Sequence, residues 1–410
     1  MVIFWKQSLL EDICLDFKLS QRAKNLKPSP TLAVTARAAA LKAAGKDIIG
    51  LGAGEPDFDT PDFIKTAANK AIEQGLTKYT AVDGTVELKQ AIINKLKRDN
   101  QQDYNLEQIL VSCGGKHSFY NLTQALLDKG DEVIVPAPYW VSYPPMVELT
   151  EATPVIIEAS AAQGFKISPE QLSNAITEKT RMLIINSPSN PTGAVYSEVE
   201  LRALADVLKN HPNILVVSDD IYEAIVWNVK PYCNILSVAP ELYDQTMILN
   251  GVSKAYSMTG WRIGYAAGPA SIIKAMKTIQ SQSTSNPASI SQAAAACALD
   301  SDQSCIHTML DAFIERHNKV HPLMDALPGV SCNPAQGAFY LFPDFSKAIA
   351  ATDGVNNDIE MGEYLLEHAG VALVPGSAFG SPGFMRLSFA TSMENLEEAL
   401  KRLKKTLSSN

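Results

Sequence analysis

Residues 247–264, MILNGVSKAYSMTGWRIG, set the terms on which the rest of the chain is read. Its first three residues are an apolar run of strand length, and just past their end stands Lys254 among small and weakly polar neighbours. Eight residues further on comes Arg262. Low-polarity surroundings disfavour the ammonium form of a lysine, lower its pKa, and leave an amine able to form a Schiff base with an aldehyde. A nearby arginine can hold a phosphate through charge-assisted hydrogen bonds. A single lysine taken alone is more simply read as a solvated loop residue, so its meaning depends on what stands at the ends of the other strands.

Working outward, the same arrangement recurs. Residues 109–111 run into Gly114-Gly115 and a helix carrying Leu122, Ala125 and Leu126, and 133–135 form the next strand. Residues 182–185 lead to the loop NSPSNPTG and then to a helix opened by a Ser197–Glu200 capping box. Residues 214–217 end in SDDIYE, and 263–267 close the series. Strands this short and this uniformly apolar, alternating with amphipathic helices, are what a parallel sheet covered on both faces requires. The middle of the chain is therefore expected to be α/β, with a mostly parallel sheet.

The flanks differ. Upstream, Thr60 is expected to cap a helix with Pro61 in its first position and Ile64, Ala67, Ala68, Ala71 and Ile72 on one face, stopping at Gly75. A second helix begins near Thr85, with Leu88, Ala91, Ile92 and Leu96 in register. After a helical stretch over 290–325, residues 338–342, 371–374 and 384–389 read as strands among loops. The last helix is expected to be capped at Thr391 and Glu394, with Leu396, Ala399, Leu400, Leu403 and Leu407 inward. This pattern predicts a large α/β domain over 61–300 and a smaller α+β domain over 301–410. Residues 17–60 form an arm shared with the smaller domain, and 1–16 an extension.

Composition bounds the function. The chain has 410 residues, 46% hydrophobic and 19% charged, which is ordinary for a globular protein with a large core. A formal net charge of −9 argues against nucleic acid or an anionic membrane as partner, so any anion site must be local. Six cysteines without C-x-x-C and six histidines without H-E-x-x-H signal neither a disulfide framework nor a metal site; they read as the reduced thiols of a cytoplasmic protein. No apolar run approaches the roughly 20 residues of a membrane span. The opening MVIFWKQSLLEDICLD lacks a basic segment and is broken by Lys6, Glu11 and Asp12, a poor signal peptide. GLGAGE at 50–55 suggests a dinucleotide fingerprint, but Glu55 in its sixth position and Pro56 after it allow no helix to begin there.

In open parallel sheets ligands bind outside the carboxyl ends of the strands, and the unusual polar residues fall there. Gly114-Gly115-Lys116 is either a plain tight turn or a helix start whose free amides suit a phosphate. Trp140, in PAPYW, is core or an aromatic plate. Asn190 lies in a proline-bounded loop, and Asp219 and Tyr222, three apart, can reach one ligand together. A lysine amine, a phosphate-holding turn with an arginine, an aromatic plate and a carboxylate are together the parts that pyridoxal 5'-phosphate needs. The carboxylate keeps the ring nitrogen protonated so that the ring accepts electrons, which is why an Asp belongs there.

SPSNPTG, SDDIYE, SKAYSMTGWRIGY, AGEPDFDTP and GGKHS together resemble the class I aminotransferases of fold type I, above all the prokaryotic aspartate aminotransferase branch, from about Lys18 to the C-terminus. The resemblance implies Lys254 as the Schiff-base lysine and Asp219 on the pyridine nitrogen. Tyr222 and Asn190 would sit at the phenolic oxygen, Trp140 on the ring face, and Arg262 with the amides of Gly115 and Lys116 at the phosphate. It implies that Tyr79, in KYTAVDG, reaches the phosphate of a neighbouring subunit, so that a homodimer shares its active sites. Arg386, in FMRLSF, would grip the substrate α-carboxylate; Met385, Leu387 and Phe389 share one strand face and leave Arg386 on the other. Gly54 would touch the substrate, and Lys116 its distal carboxylate, with the polar stretch 283–286 from the other subunit.

The implied reaction moves the amino group of L-aspartate to 2-oxoglutarate by a ping-pong mechanism, giving oxaloacetate and L-glutamate from amino acid and 2-oxo acid substrates. Prephenate is an acceptor for some relatives, and Lys27, in LKPSPT, lies in the region that matters for it. The rival readings are an aminotransferase with aromatic, alanine or prephenate preference, a lyase on the same scaffold, and a noncatalytic ligand sensor.

Overall fold

The computed structural model describes residues 17–408 apart from 27, 29 and 228–231; the extension 1–16 and Lys27 lie outside the described residues. The strands are β1 Ile49–Gly50, β2 Ile109–Ser112, β3 Glu132–Ala137, β4 Thr153–Glu158, β5 Thr180–Asn186, β6 Leu215–Asp219, β7 Thr246–Gly251, β8 Gly264–Ala267, β9 Tyr340–Leu341, β10 Val371–Ala372, β11 Val374–Pro375 and β12 Met385–Ser388.

Alternating side chains on the middle strands enter two separate cores, which is what makes the apolar runs continuous. On one face Ile134, Leu183, Ile185, Val216 and Ile248 pack with Ile64, Leu88, Leu204 and Ala295 from four helices. On the other, Val133, Val135, Met182, Ile184, Val217 and Met247 meet Phe119, Leu122, Ile273 and Met276. The resulting sheet has seven strands in the order β2-β8-β7-β6-β5-β3-β4. It is parallel except for β8, which runs antiparallel to both β2 and β7. Residues 252–263, between β7 and β8, form the Lys254 loop and one 3-10 turn rather than the crossover helix a parallel return uses. β4 escapes a reading based on uniform apolar runs because it is an edge strand: Pro154 lies inside it and only Ile157 is buried.

Two expected caps are corrected. The helix Asp62–Glu73 starts after Pro61 with no side-chain cap. Thr60 Oγ1 instead donates to Ser257 O (2.7 Å) and accepts from Trp261 Nε1 (2.9 Å), tying this corner to the Lys254 loop. The inner face of that helix is Ile64, Ala68 and Ala71, while Ile72 is half exposed. The final helix, Met393–Leu407, is capped by Ser392, whose hydroxyl accepts from Asn395 N, and Thr391 serves the Asn395 side chain. The helical stretch after residue 288 divides into Ser289–Asp300 and Ser304–Asp325.

The remaining strands form a three-stranded antiparallel sheet, β11-β12-β9, and the parallel pair β1-β10, in which Ile49 faces Val371. A third core joins Phe313, Val320, Phe339, Leu365, Leu387 and Leu403 around them. Among the described residues no helix is long and apolar enough to cross a membrane, and no group of three His, Cys, Asp or Glu side chains could hold a metal ion.

Candidate active site

Parallel neighbours end side by side. Asn186 of β5 is in register with Asp219 of β6, and Asp219 with Leu249 of β7. The loops leaving these strands carry Asn190, Tyr222 and Lys254, so residues far apart in sequence are delivered to one sheet edge. They open on a cleft of about 410 Å³ that also receives Gly54, Gly115, Lys116, Trp140, Arg262 and Arg386. Tyr79 does not line it and is 92% exposed.

Lys254 is largely buried and donates from Nζ to Gly54 O at 2.5 Å. Burial pushes its pKa down to about 8, with Glu55 opposing and Arg386 and Arg262 adding to the shift. The amine is thus available near neutrality. Across the cleft, burial raises the carboxyl of Asp219 to about 6, against the hydroxyl of Tyr143, which donates to its Oδ2, and the amide of Ile221, which donates to Oδ1. Tyr143 also meets Trp140 edge to face, 5.2 Å between centroids. Tyr222 shares a hydroxyl contact of 2.9 Å with Tyr340.

The helix Gly115–Leu126 begins at Gly114, whose φ of 88° suits glycine. A side chain there would also strike Arg262, whose Nη2 lies 2.4 Å from where the Cβ would be. Arg262 is thereby laid over the helix start, held by Thr259 O (2.8 Å) and Cys113 O (3.3 Å). The first amides of a helix lack intrahelical partners, so this corner combines a guanidinium with free N–H groups. Lys116 is exposed at the mouth, Nζ 5.1 Å from the Trp140 ring centre, and its pKa is lowered by partial desolvation and then by Arg262.

Arg386 is only 2% exposed. Its bonds go to neutral oxygens, Asn190 Oδ1 and Gly52 O, its Nε has no partner, and its guanidinium lies 4.6 Å from the Tyr340 ring centre. A buried cation without a carboxylate is costly to leave unpaired, and this one faces the cleft. Tyr143, Tyr340, Gly52, Thr31 and Thr35 were not read from the sequence, although four of them line the cleft and Tyr340 holds Tyr222 from behind. Tyr143 stands three residues after Trp140, which is the one signal that pointed to it.

Residues 46–403 match the family model for aminotransferase class I and II. The chain belongs to this family. Among relatives of this aminotransferase, the aspartate/prephenate aminotransferase of Nitrosomonas europaea is 57% identical over 396 residues, 95% of this chain and 100% of that one. The aspartate aminotransferase of Bacillus subtilis is 52% identical, covering 95% and 98%. A crystal structure of the Rhizobium meliloti aspartate aminotransferase superposes with a TM-score of 0.92 at 46% identity, covering 96% of this chain and 99% of that one. The Thermus thermophilus enzyme with maleate gives 0.90 at 43%, covering 95% and 100%.

Aminotransferases of this class are pyridoxal 5'-phosphate enzymes, and the residues present fit that group. The cleft of this aminotransferase offers an amine of lowered pKa, a carboxylate opposite it, an aromatic plate, and a helix start crossed by an arginine.

Proposed function

We propose that this aminotransferase takes the amino group of L-aspartate, passes it to 2-oxoglutarate in a ping-pong cycle, and does so with pyridoxal 5'-phosphate in a cytoplasmic homodimer. The observation that carries the reading is the joint presence, in one cleft, of the Lys254 amine and the buried Arg386 guanidinium with its unused Nε. Two relatives whose names include aspartate support the choice of donor. The division into an arm over 17–60, a large domain over 61–300 and a small one over 301–410 is part of the same proposal.

Bound in the cleft, the cofactor supplies an aldehyde to take up the amino group and an electron sink for the carbanion. The chain does the rest. Lys254, an amine whose pKa is lowered to about 8, would take the proton from the substrate α-carbon and hand it back as general base and acid. Arg386 holds the α-carboxylate through its fork, and the Gly54 backbone borders the same position. Asp219 would hold the ring nitrogen as a cation, Tyr222 and Asn190 would serve the phenolic oxygen, and Trp140 would cover the ring. The amides of Gly115 and Lys116 and the Arg262 guanidinium would bind the phosphate, and Tyr79 would reach from one subunit to the phosphate held by the other. Lys116 also meets the distal carboxylate of aspartate.

The test is spectroscopic. L-Aspartate added to the cofactor-loaded protein without acceptor should shift its visible absorption to shorter wavelength, and 2-oxoglutarate should restore it. An unchanged spectrum with aspartate, together with a shift on adding another amino acid, overturns the donor and keeps the chemistry. Prephenate as acceptor is the second reading, favoured by the name of the Nitrosomonas relative; restoration of the band by prephenate distinguishes it.

A further inference from the structure

Behind the cleft sits a buried carboxylate that takes no part in the reaction described above. Glu223 Oε1 accepts from Asn250 Nδ2 (2.6 Å) and from the ammonium of Lys95, and Oε2 accepts from Asn100 Nδ2 (2.8 Å). Lys95 also donates to Asn100 Oδ1 (2.6 Å), closing a ring of three side chains. The Lys95 and Glu223 side chains are 7% and 10% exposed, and Asn100 and Asn250 are buried. The donors come from the helix Val86–Asn100 and from β7, whereas Glu223 belongs to the turn after β6.

The place of this ring in the chain gives it meaning. Glu223 directly follows Tyr222 and is four residues past Asp219; Asn250 is four residues before Lys254. One hydrogen bond therefore ties the turn that follows Asp219 to the end of β7, from which the Lys254 loop departs. Asn250 is fixed in turn, its Oδ1 accepting from Gly251 N at 2.7 Å. The ring borders a cavity of about 630 Å³ that Tyr256 and Tyr265 also line.

We propose that Glu223 is a positioning residue: anchored by Lys95 and Asn100, it tethers Asn250 and sets the Lys254 loop against the Asp219–Tyr222 turn. The proposal rests on the reading of Lys254 and Asp219 as residues that hold pyridoxal 5'-phosphate. Glu223→Gln alone would leave the buried Lys95 ammonium with no carboxylate nearer than that of Asp99 at 3.9 Å, so the informative variants change both partners. Lys95→Met with Glu223→Gln removes the ion pair and keeps the tether, since the glutamine Oε1 still accepts from Asn250 and Asn100 can turn its amide to the new Nε2. Lys95→Met with Glu223→Leu removes both.

The experiment measures the melting temperature of the cofactor-free protein, the dissociation constant for pyridoxal 5'-phosphate, and the visible circular dichroism of the bound form, which reports how the cofactor is seated. Both double variants should melt near the wild type. The Gln variant should bind as the wild type does, and the Leu variant about tenfold more weakly, with altered dichroism, the loss expected for one hydrogen-bonded tether. Equal affinity and equal dichroism in the two overturn the proposal. Should the Leu variant fail to fold, Asn250→Ala cuts the same bond from the β7 side with the ion pair intact: a comparable loosening supports the tether, and wild-type binding overturns it. Wild-type protein that binds no pyridoxal 5'-phosphate would instead overturn the cofactor reading itself.

Discussion

Arg386 Nη1 donates to Asn190 Oδ1 at 2.9 Å, joining β12 of the three-stranded sheet to the loop after β5 of the seven-stranded one. Through Nη2 the same side chain holds Gly52 O, just past β1. Three parts of the chain thus meet on one guanidinium that spends two of its five N–H groups on them and keeps Nε without a partner. Arg386→Lys keeps a charge and loses the fork. Truncating one partner of a desolvated charge pair costs about 2–5 kcal/mol, so kcat/KM for aspartate should fall by about thirtyfold or more. The absorption of bound cofactor should stay as it was. A loss of only a few-fold removes Arg386 from carboxylate binding.

Lys254 makes a prediction about stability as well as turnover. Its folded pKa of about 8 lies below the ordinary lysine value of 10.5. Between those values the unfolded chain binds more protons than the folded one, so the stability of the cofactor-free protein rises with pH across that window. Below 8 the penalty for burying the ammonium is fully present. Lys254→Met should abolish turnover and raise the melting temperature of the cofactor-free protein, most at neutral pH and least near 10.5. Thermal melts of both proteins across that range check it; a gap that widens with pH contradicts the sign.

Burial is the main influence on Asp219, and the Tyr143 hydroxyl works against it. Tyr143→Phe leaves the burial and deletes the bond, so the carboxyl should rise above its present value of about 6. A neutral carboxyl cannot hold a protonated ring nitrogen. Affinity for pyridoxal 5'-phosphate should therefore drop as pH falls through about 6 in the wild type, and at a higher pH in Tyr143→Phe. Equilibrium dialysis across the acid range measures both midpoints, and coincident midpoints would show that Tyr143 has no such influence.

Lys116 stands exposed at the cleft mouth beside Trp140. A solvent-facing ion pair contributes up to about 1 kcal/mol, so Lys116→Ala should weaken aspartate by roughly fivefold. An apolar donor such as alanine should lose less. Equal losses for the two donors mean that the lysine does not select for a second carboxylate.

How much of this was legible depended on whether the signal was local. The run at 214–217 stops at Asp219 and that at 247–249 shortly before Lys254, so the sheet edge and its chemistry could be read together. Strand direction leaves no trace in hydrophobicity, which is why the reversed β8 was visible only in the structure. The hydroxyl of Thr60 has the look of a cap, yet its partners Ser257 and Trp261 are 197 and 201 residues away. Tyr143 and Tyr340 were missed for the same reason: their partners Asp219 and Tyr222 lie 76 and 118 residues off, and no spacing links them.

Tyr79 is 92% exposed on this chain and outside its cleft, so it takes no part in the site of its own subunit. If it completes the phosphate site of a second subunit, Tyr79→Ala and Lys254→Ala damage different halves of the same assembly. Each homodimer should then be impaired, Lys254→Ala completely. Random reassembly of an equal mixture gives half heterodimers, each with one intact site and one doubly damaged site, so activity should return to roughly a quarter of the wild-type level. The regain should appear with subunit exchange and be absent when the two proteins are mixed without dissociation. Activity that stays at the average of the two parents after full exchange, confirmed by mass spectrometry of the mixed dimer, would mean that each subunit builds its site alone.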